Sequence, residues 1–155
     1  MRITPPGSAT KTRSTFYLSC AVATLIAATP EAIWRLLTDA DNYTKWNSTL
    51  TSLTGDIALR GIVKMTVPEA PGRTFKIKVS EFKPHTRMVW RDGFAPTFQG
   101  VRTFTLEPRG PHATQFTMSE EFSGLFLPLI AGKLPDFKPI FERYAADLKL
   151  AAETA

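Results

Sequence analysis

Thr29-Pro30-Glu31-Ala32-Ile33-Trp34-Arg35-Leu36-Leu37-Thr38-Asp39 is the stretch on which the reading of the whole chain turns. Thr29 is suited to cap a helix, Pro30 to its first position and Glu31 to the positive end of its dipole. Ile33, Trp34 and Leu37 then recur at helical spacing, so a helix begins near residue 30. Asp39 or Asp41 restarts a second short helix that holds Tyr43 and Trp46.

Toward the N-terminus, the segment from Phe16 to Ala28 has two readings. Basic residues precede it, it is apolar for about a dozen positions, and it ends in Ala27-Ala28, as a secretory signal does. It is too short to span a membrane. Phe16, Leu18, Cys20, Val22, Thr24 and Ile26 fall on one parity, and the helix start follows at once, which favours a first β-strand. Residues 1–14 hold two prolines and no apolar period and read as a disordered tail.

Toward the C-terminus, the period changes to two from about Leu50 to Phe122, in runs punctuated by Gly, Pro and Asp. These runs predict six strands, near residues 50–59, 61–67, 74–83, 87–92, 100–107 and 113–122. An irregular apolar stretch, Ser123 to Leu134, precedes a last helix striped by Phe137, Ile140, Phe141, Tyr144 and Leu148. The expected fold is α+β: a curved seven-stranded antiparallel sheet wrapped around a long C-terminal helix. A sheet and one helix bury both apolar faces only if the sheet curls. Such a curl leaves an internal cavity, the usual form of a ligand site. Residues 15–155 form one domain.

This order of elements, with Thr29 to Asp39, Tyr43-Thr44-Lys45-Trp46-Asn47 and Glu120-Glu121-Phe122-Ser123-Gly124, resembles the SRPBCC superfamily. That superfamily is also called START-like or birch-pollen-allergen-like, and the nearest likeness within it is the polyketide cyclase/dehydrase group. The resemblance covers about residues 15–152 and implies the helix-grip fold. Members bind lipids, sterols, polyketides or hormones, and some catalyse cyclisation or dehydration. They share no catalytic residue set, so none is carried over to this chain.

Composition narrows the classes of function. The net charge of +5 is concentrated at the start: Arg2, Lys11 and Arg13 precede residue 15, and no acid does. The remaining body is nearly balanced and carries no basic stripe, which argues against nucleic-acid binding. The single cysteine, Cys20, excludes an internal disulfide and fits a cytoplasmic setting. No His/Cys cluster has metal-ligand spacing, and no glycine loop suits a phosphate, so no cofactor is expected.

The last hairpin supplies the sharpest site candidates. A turn at Arg109–His112 pairs Leu106 with Phe116 and Phe104 with Met118 on the inward face. The same register sets Arg102 opposite Glu120. Either the two anchor the polar end of an apolar ligand, or a bulge turns one outward into a surface pair. Phe75, Ile77 and Val79 share the inward parity of their strand, and Met88 and Trp90 that of theirs. Glu81 continues the first set, but Phe82 is out of phase, which predicts a bulge near Ser80-Glu81. Phe137, Phe141 and Tyr144 complete the expected lining from the helix. His85 and His112 sit in turns at the end away from an apolar rim of Phe94, Phe98, Leu125, Phe126 and Leu129.

Together these features favour a protein, monomer or homodimer, that binds a hydrophobic small molecule, lipid or polyketide-like. An enzyme of the cyclase or dehydratase type in the same cavity is the alternative, and a protein-interaction module the third. Membrane contact by the basic tail and the Leu125–Ile130 loop is a lesser expectation.

Overall fold

A computed structural model describes residues 6–155. The chain runs β1 (Ala9–Ser14), β2 (Tyr17–Ile26), α1 (Pro30–Thr38), a 3₁₀ turn (Ala40–Asn42) and α2 (Tyr43–Trp46). Then come β3 (Ser52–Gly55), β4 (Ile62–Thr66), β5 (Phe75–Lys83), β6 (Arg87–Phe94), β7 (Phe98–Pro108) and β8 (Thr114–Ser123). The one-turn α3 (Leu127–Ile130), a second 3₁₀ turn (Ala131–Lys133) and the long α4 (Phe137–Thr154) close the chain. All strands join one antiparallel sheet in the order β1-β2-β8-β7-β6-β5-β4-β3.

The expected strand count is corrected from seven to eight. The extra strand, β1, comes from the stretch read as a disordered tail; residues 1–5 of that stretch lie outside the described residues. Its sequence, Ala-Thr-Lys-Thr-Arg-Ser, has no apolar period because β1 is an edge strand exposed at every position but Ala9. What orders it is pairing along its whole length with the first part of β2, from Ala9 opposite Val22 to Ser14 opposite Tyr17. The Ala9 amide also donates to the Glu142 carboxylate on α4.

The helix start behaves as its residues dictate. Thr29 Oγ1 accepts from the Ala32 amide at 3.2 Å, and Pro30 opens α1, which buries Ile33, Trp34 and Leu37. The 43–46 turn that follows buries Tyr43. On β2 the predicted parity holds from Cys20 onward: Cys20, Val22, Thr24 and Ile26 are buried and face α4, Leu18 is partly buried, and Phe16 lies in the turn before β2 and is exposed. The bulge near Ser80 is present, since the β5–β6 register shifts between Val79 and Glu81. Helix α4 buries Phe141, Tyr144, Ala145, Leu148 and Ala152 against the concave face. No helix among the described residues is long and apolar enough to cross a membrane.

Candidate functional site

Antiparallel pairing sets side chains of facing residues on the same side of a sheet, so the concave face can be read in transverse rows. One row runs Ala9, Val22, Met118, Phe104 and Met88 across β1, β2, β8, β7 and β6. Every member is buried and apolar. Two residues further along the strands, the next row runs Lys11, Cys20, Glu120, Arg102 and Trp90. The third runs Arg13, Leu18, Phe122, Gly100 and Asp92.

The second row carries the candidate centre. Arg102 stands opposite Glu120, as the hairpin register predicts, and donates from Nη2 to the carboxylate at 2.7 Å. Only 11% of the Arg102 side chain and 15% of Glu120's is exposed, so this is a largely buried pair, with no bulge turning either residue to the surface. The guanidinium carbon lies 5.2 Å from the Phe141 ring centroid and 5.7 Å from that of Tyr144, so α4 lays two aromatic faces on the cation. Burial alone would lower the Arg102 pKa, but attraction to Glu120 and Tyr144 and the hydrogen bond to Glu120 outweigh it and hold it above its ordinary value.

The aromatic shell continues outward. The Trp90 ring meets Phe104 edge-on at 5.0 Å, and the hydroxyls of Tyr43 and Tyr144 are hydrogen-bonded to each other. Burial pushes the Tyr144 hydroxyl up to about 12 and raises Tyr43 as well, so both phenols stay protonated at neutral pH. Four buried nitrogens find no acceptor among the described residues: Trp46 Nε1 and Asn47 Nδ2 at α2, and, in the second row, Arg102 Nε and Trp90 Nε1. The last two belong to residues directly opposed across β6 and β7. A buried donor without a partner costs about 1–3 kcal/mol, so both favour an acceptor atom between them.

The space over the middle of the sheet is filled by these side chains. An open pocket of about 430 Å³ lies beside them, between the β1–β2 edge and the N-terminal end of α4. Leu18, Cys20, Phe122, Leu134 and Phe137 form its apolar wall, and Lys11, Arg13 and Asp136 its charged rim. Phe122 stacks on Phe137 at 5.0 Å, and Phe137 meets Phe141, the residue under Arg102, at 6.0 Å. One layer of rings therefore separates the pocket from the ion pair. Gly100 keeps that layer tight: a Cβ there would meet the Phe122 ring at 3.2 Å.

Among the predicted lining residues, Phe137 borders the pocket, while Arg102, Glu120, Trp90, Phe104, Met118, Met88, Phe141 and Tyr144 form the filled layer beside it. Phe75 and Ile77 pair with β4 on the far wing of the sheet and do not border the pocket. Glu81 is not an inward acid. The bulge leaves it pairing with Arg87 at 3.0 Å, and that hydrogen bond lowers its pKa. His85 and His112 are exposed, as their turns predict.

Three contributors were not anticipated. Tyr43 is buried against Tyr144 by the turn of α2. Asp92 continues the Met88–Trp90 parity, a signal available in the sequence; burial raises its pKa, and the nearby Glu120 charge adds to that. The rim cations come from β1, whose sequence has no strand signature. At the same end, Phe94, Leu125, Phe126 and Leu129 are exposed. Their loops are tied by Leu125 and Phe126 amides donating to Pro96 and Thr97 carbonyls. Gly124 (φ 135°) permits that contact, because a Cβ there would sit 2.2 Å from the Thr97 oxygen.

An antiparallel sheet folded over one long C-terminal helix is the helix-grip, START-like fold. The chain belongs to the polyketide cyclase / dehydrase and lipid transport family, which matches residues 18–153. Comparison with curated protein sequences gives no match. Among solved structures, a START superfamily protein from Mycobacterium smegmatis is 18% identical with a TM-score of 0.64, covering 88% of this chain and 97% of its own. Norcoclaurine synthase from Thalictrum flavum, solved with dopamine and hydroxybenzaldehyde, is 18% identical with a TM-score of 0.64, covering 92% of this chain and 90% of its own. A conserved protein of unknown function from Enterococcus faecalis is 19% identical with a TM-score of 0.67, covering 94% of this chain and 77% of its own. Likeness at these identities is a likeness of fold.

Proposed function

We propose that the protein binds a hydrophobic small molecule, lipid or polyketide-like, between the sheet and α4, with a polar group of the ligand held by Arg102, Glu120 and Trp90. The observation that carries this reading is the pair of buried, acceptorless donors, Arg102 Nε and Trp90 Nε1, inside an aromatic shell next to an open apolar pocket. Because Glu120 already balances Arg102, a neutral carbonyl or hydroxyl suits that position better than a second anion. Entry requires the Phe122–Phe137 layer to swing aside. The test is titration of aryl ketones and hydroxylated lipids, followed by tryptophan fluorescence and native mass spectrometry. One-to-one binding that weakens in Trp90→Phe supports the reading; no adduct with any of them overturns it.

Asp92 favours a second reading, a cyclase- or dehydratase-type enzyme. A half-buried carboxyl with a raised pKa beside a balanced Arg–Glu pair and two protonated phenols is a set of groups that can polarise a carbonyl and move a proton. Turnover of a bound polyketide-like substrate that is lost in Asp92→Asn, with binding retained, would establish it.

A further inference from the structure

Strand β1 supplies Lys11, Thr12 and Arg13 to the pocket. Register determines what each does. Ala9, Lys11 and Arg13 oppose Val22, Cys20 and Leu18, whose parity faces α4, so all three share the concave side. Ala9 is buried beneath α4. Lys11 Nζ pairs with Asp136, the N-cap of α4, at 2.8 Å. Arg13 lies one step further out, beside Leu18, and has no acidic partner among the described residues. The three charged groups on the rim, Lys11, Arg13 and Asp136, therefore leave one positive charge in excess, at Arg13. The wall below it is apolar: Leu18, Phe122, Leu134 and Phe137.

We propose that β1 makes this pocket a site for an amphipathic anion, whose carboxylate or phosphate head pairs with Arg13 at the rim while its apolar tail lies on Leu18, Phe122, Leu134 and Phe137. The proposal rests on the hydrophobic-ligand reading above and assigns the outer end of that ligand. The two ends of the site differ in charge balance. The inner pair is neutral overall and suits an uncharged acceptor, whereas the rim is net positive and half open to water, where an anion keeps part of its hydration. A guanidinium adds a bidentate fork that matches either head group.

The test uses the full chain with dodecanoate, dodecyl phosphate and dodecanol as probes, by isothermal titration calorimetry at low salt. Both anions are expected to bind about fivefold or more tightly than dodecanol, with the advantage shrinking as salt screens the rim. Arg13→Glu is expected to remove that advantage, and Arg13→Lys to restore most of it for the phosphate. Arg13 is exposed on an edge strand, so unchanged melting curves will show that the fold is intact. Equal binding of dodecanol and dodecanoate, unaltered in Arg13→Glu, overturns the anion site while leaving hydrophobic binding in place. Failure of all three probes to bind overturns both readings.

Discussion

The row Ala9–Val22–Met118–Phe104–Met88 and the row Lys11–Cys20–Glu120–Arg102–Trp90 cross the same five strands two residues apart, under the same helix. The first is entirely apolar and sealed; it holds the sheet to α4. The second places a cation and an anion at equivalent positions, compensates them with each other and with aromatic faces, and still leaves donors without acceptors. A sheet surface this regular makes every row equally available to the core, so the polar row is a departure that packing alone does not require. Stability resides in the first row, and the second is the one to which the proposed function assigns recognition.

Three variants break or sharpen that contrast. Phe104→Ala, in the apolar row, is expected to cost about 3–5 kcal/mol in urea unfolding, since a fully buried ring leaves a cavity. Arg102→Leu is expected to cost about 3 kcal/mol, because Glu120 is left largely buried without its partner. Arg102→Leu with Glu120→Leu should regain most of that loss and abolish binding of ligands with a polar end. If the double variant stays as unstable as the single one, the pair is structural and the contrast between rows fails.

Smaller effects separate the carboxylates by sign. Burial raises the Asp92 pKa, so the stability it contributes is complete below the ordinary carboxylate range and is lost as pH rises through its folded value. Asp92→Asn should therefore gain on the parent chain at neutral pH and lose that gain in acid. Glu142 and Glu153 act in the opposite direction. Hydrogen bonds from Lys138 and the Ala9 amide lower Glu142, and those from the Ala27 amide and Lys149 lower Glu153. Their stabilisation of α4 is present at neutral pH and disappears as pH falls through those lowered values. Unfolding midpoints of the parent, Asp92→Asn, Glu142→Gln and Glu153→Gln, measured from acid to neutral pH, check both signs. Leu129→Ser, at a side chain 75% exposed, should change stability by less than about 0.5 kcal/mol.

Much of the centre was legible because strand parity is a local property. Phe104, Met118, Arg102 and Glu120 follow from one turn and a count of residues, and the bulge at Ser80 follows from Phe82 being out of phase. Asp92 was legible by the same count, since it lies two residues past Trp90 inside the strand expected over 87–92. Tyr43 was not, because its contact with Tyr144 joins segments 101 residues apart, and no spacing encodes that.

By itself, the sequence determined the helix start at Thr29, the inward parities of the strands and the charge-for-charge pairing of the last hairpin, since each depends on neighbours within a turn or a ladder. Tertiary structure alone decided that Ala9–Ser14 is a strand, that the centre is filled by rings and that the pocket opens at the N-terminal end of α4. An edge strand with exposed polar side chains owes its order to the partner it pairs with. Whether space between a sheet and a helix stays empty depends on how far the helix settles onto its aromatic side chains, which is a property of the assembled core.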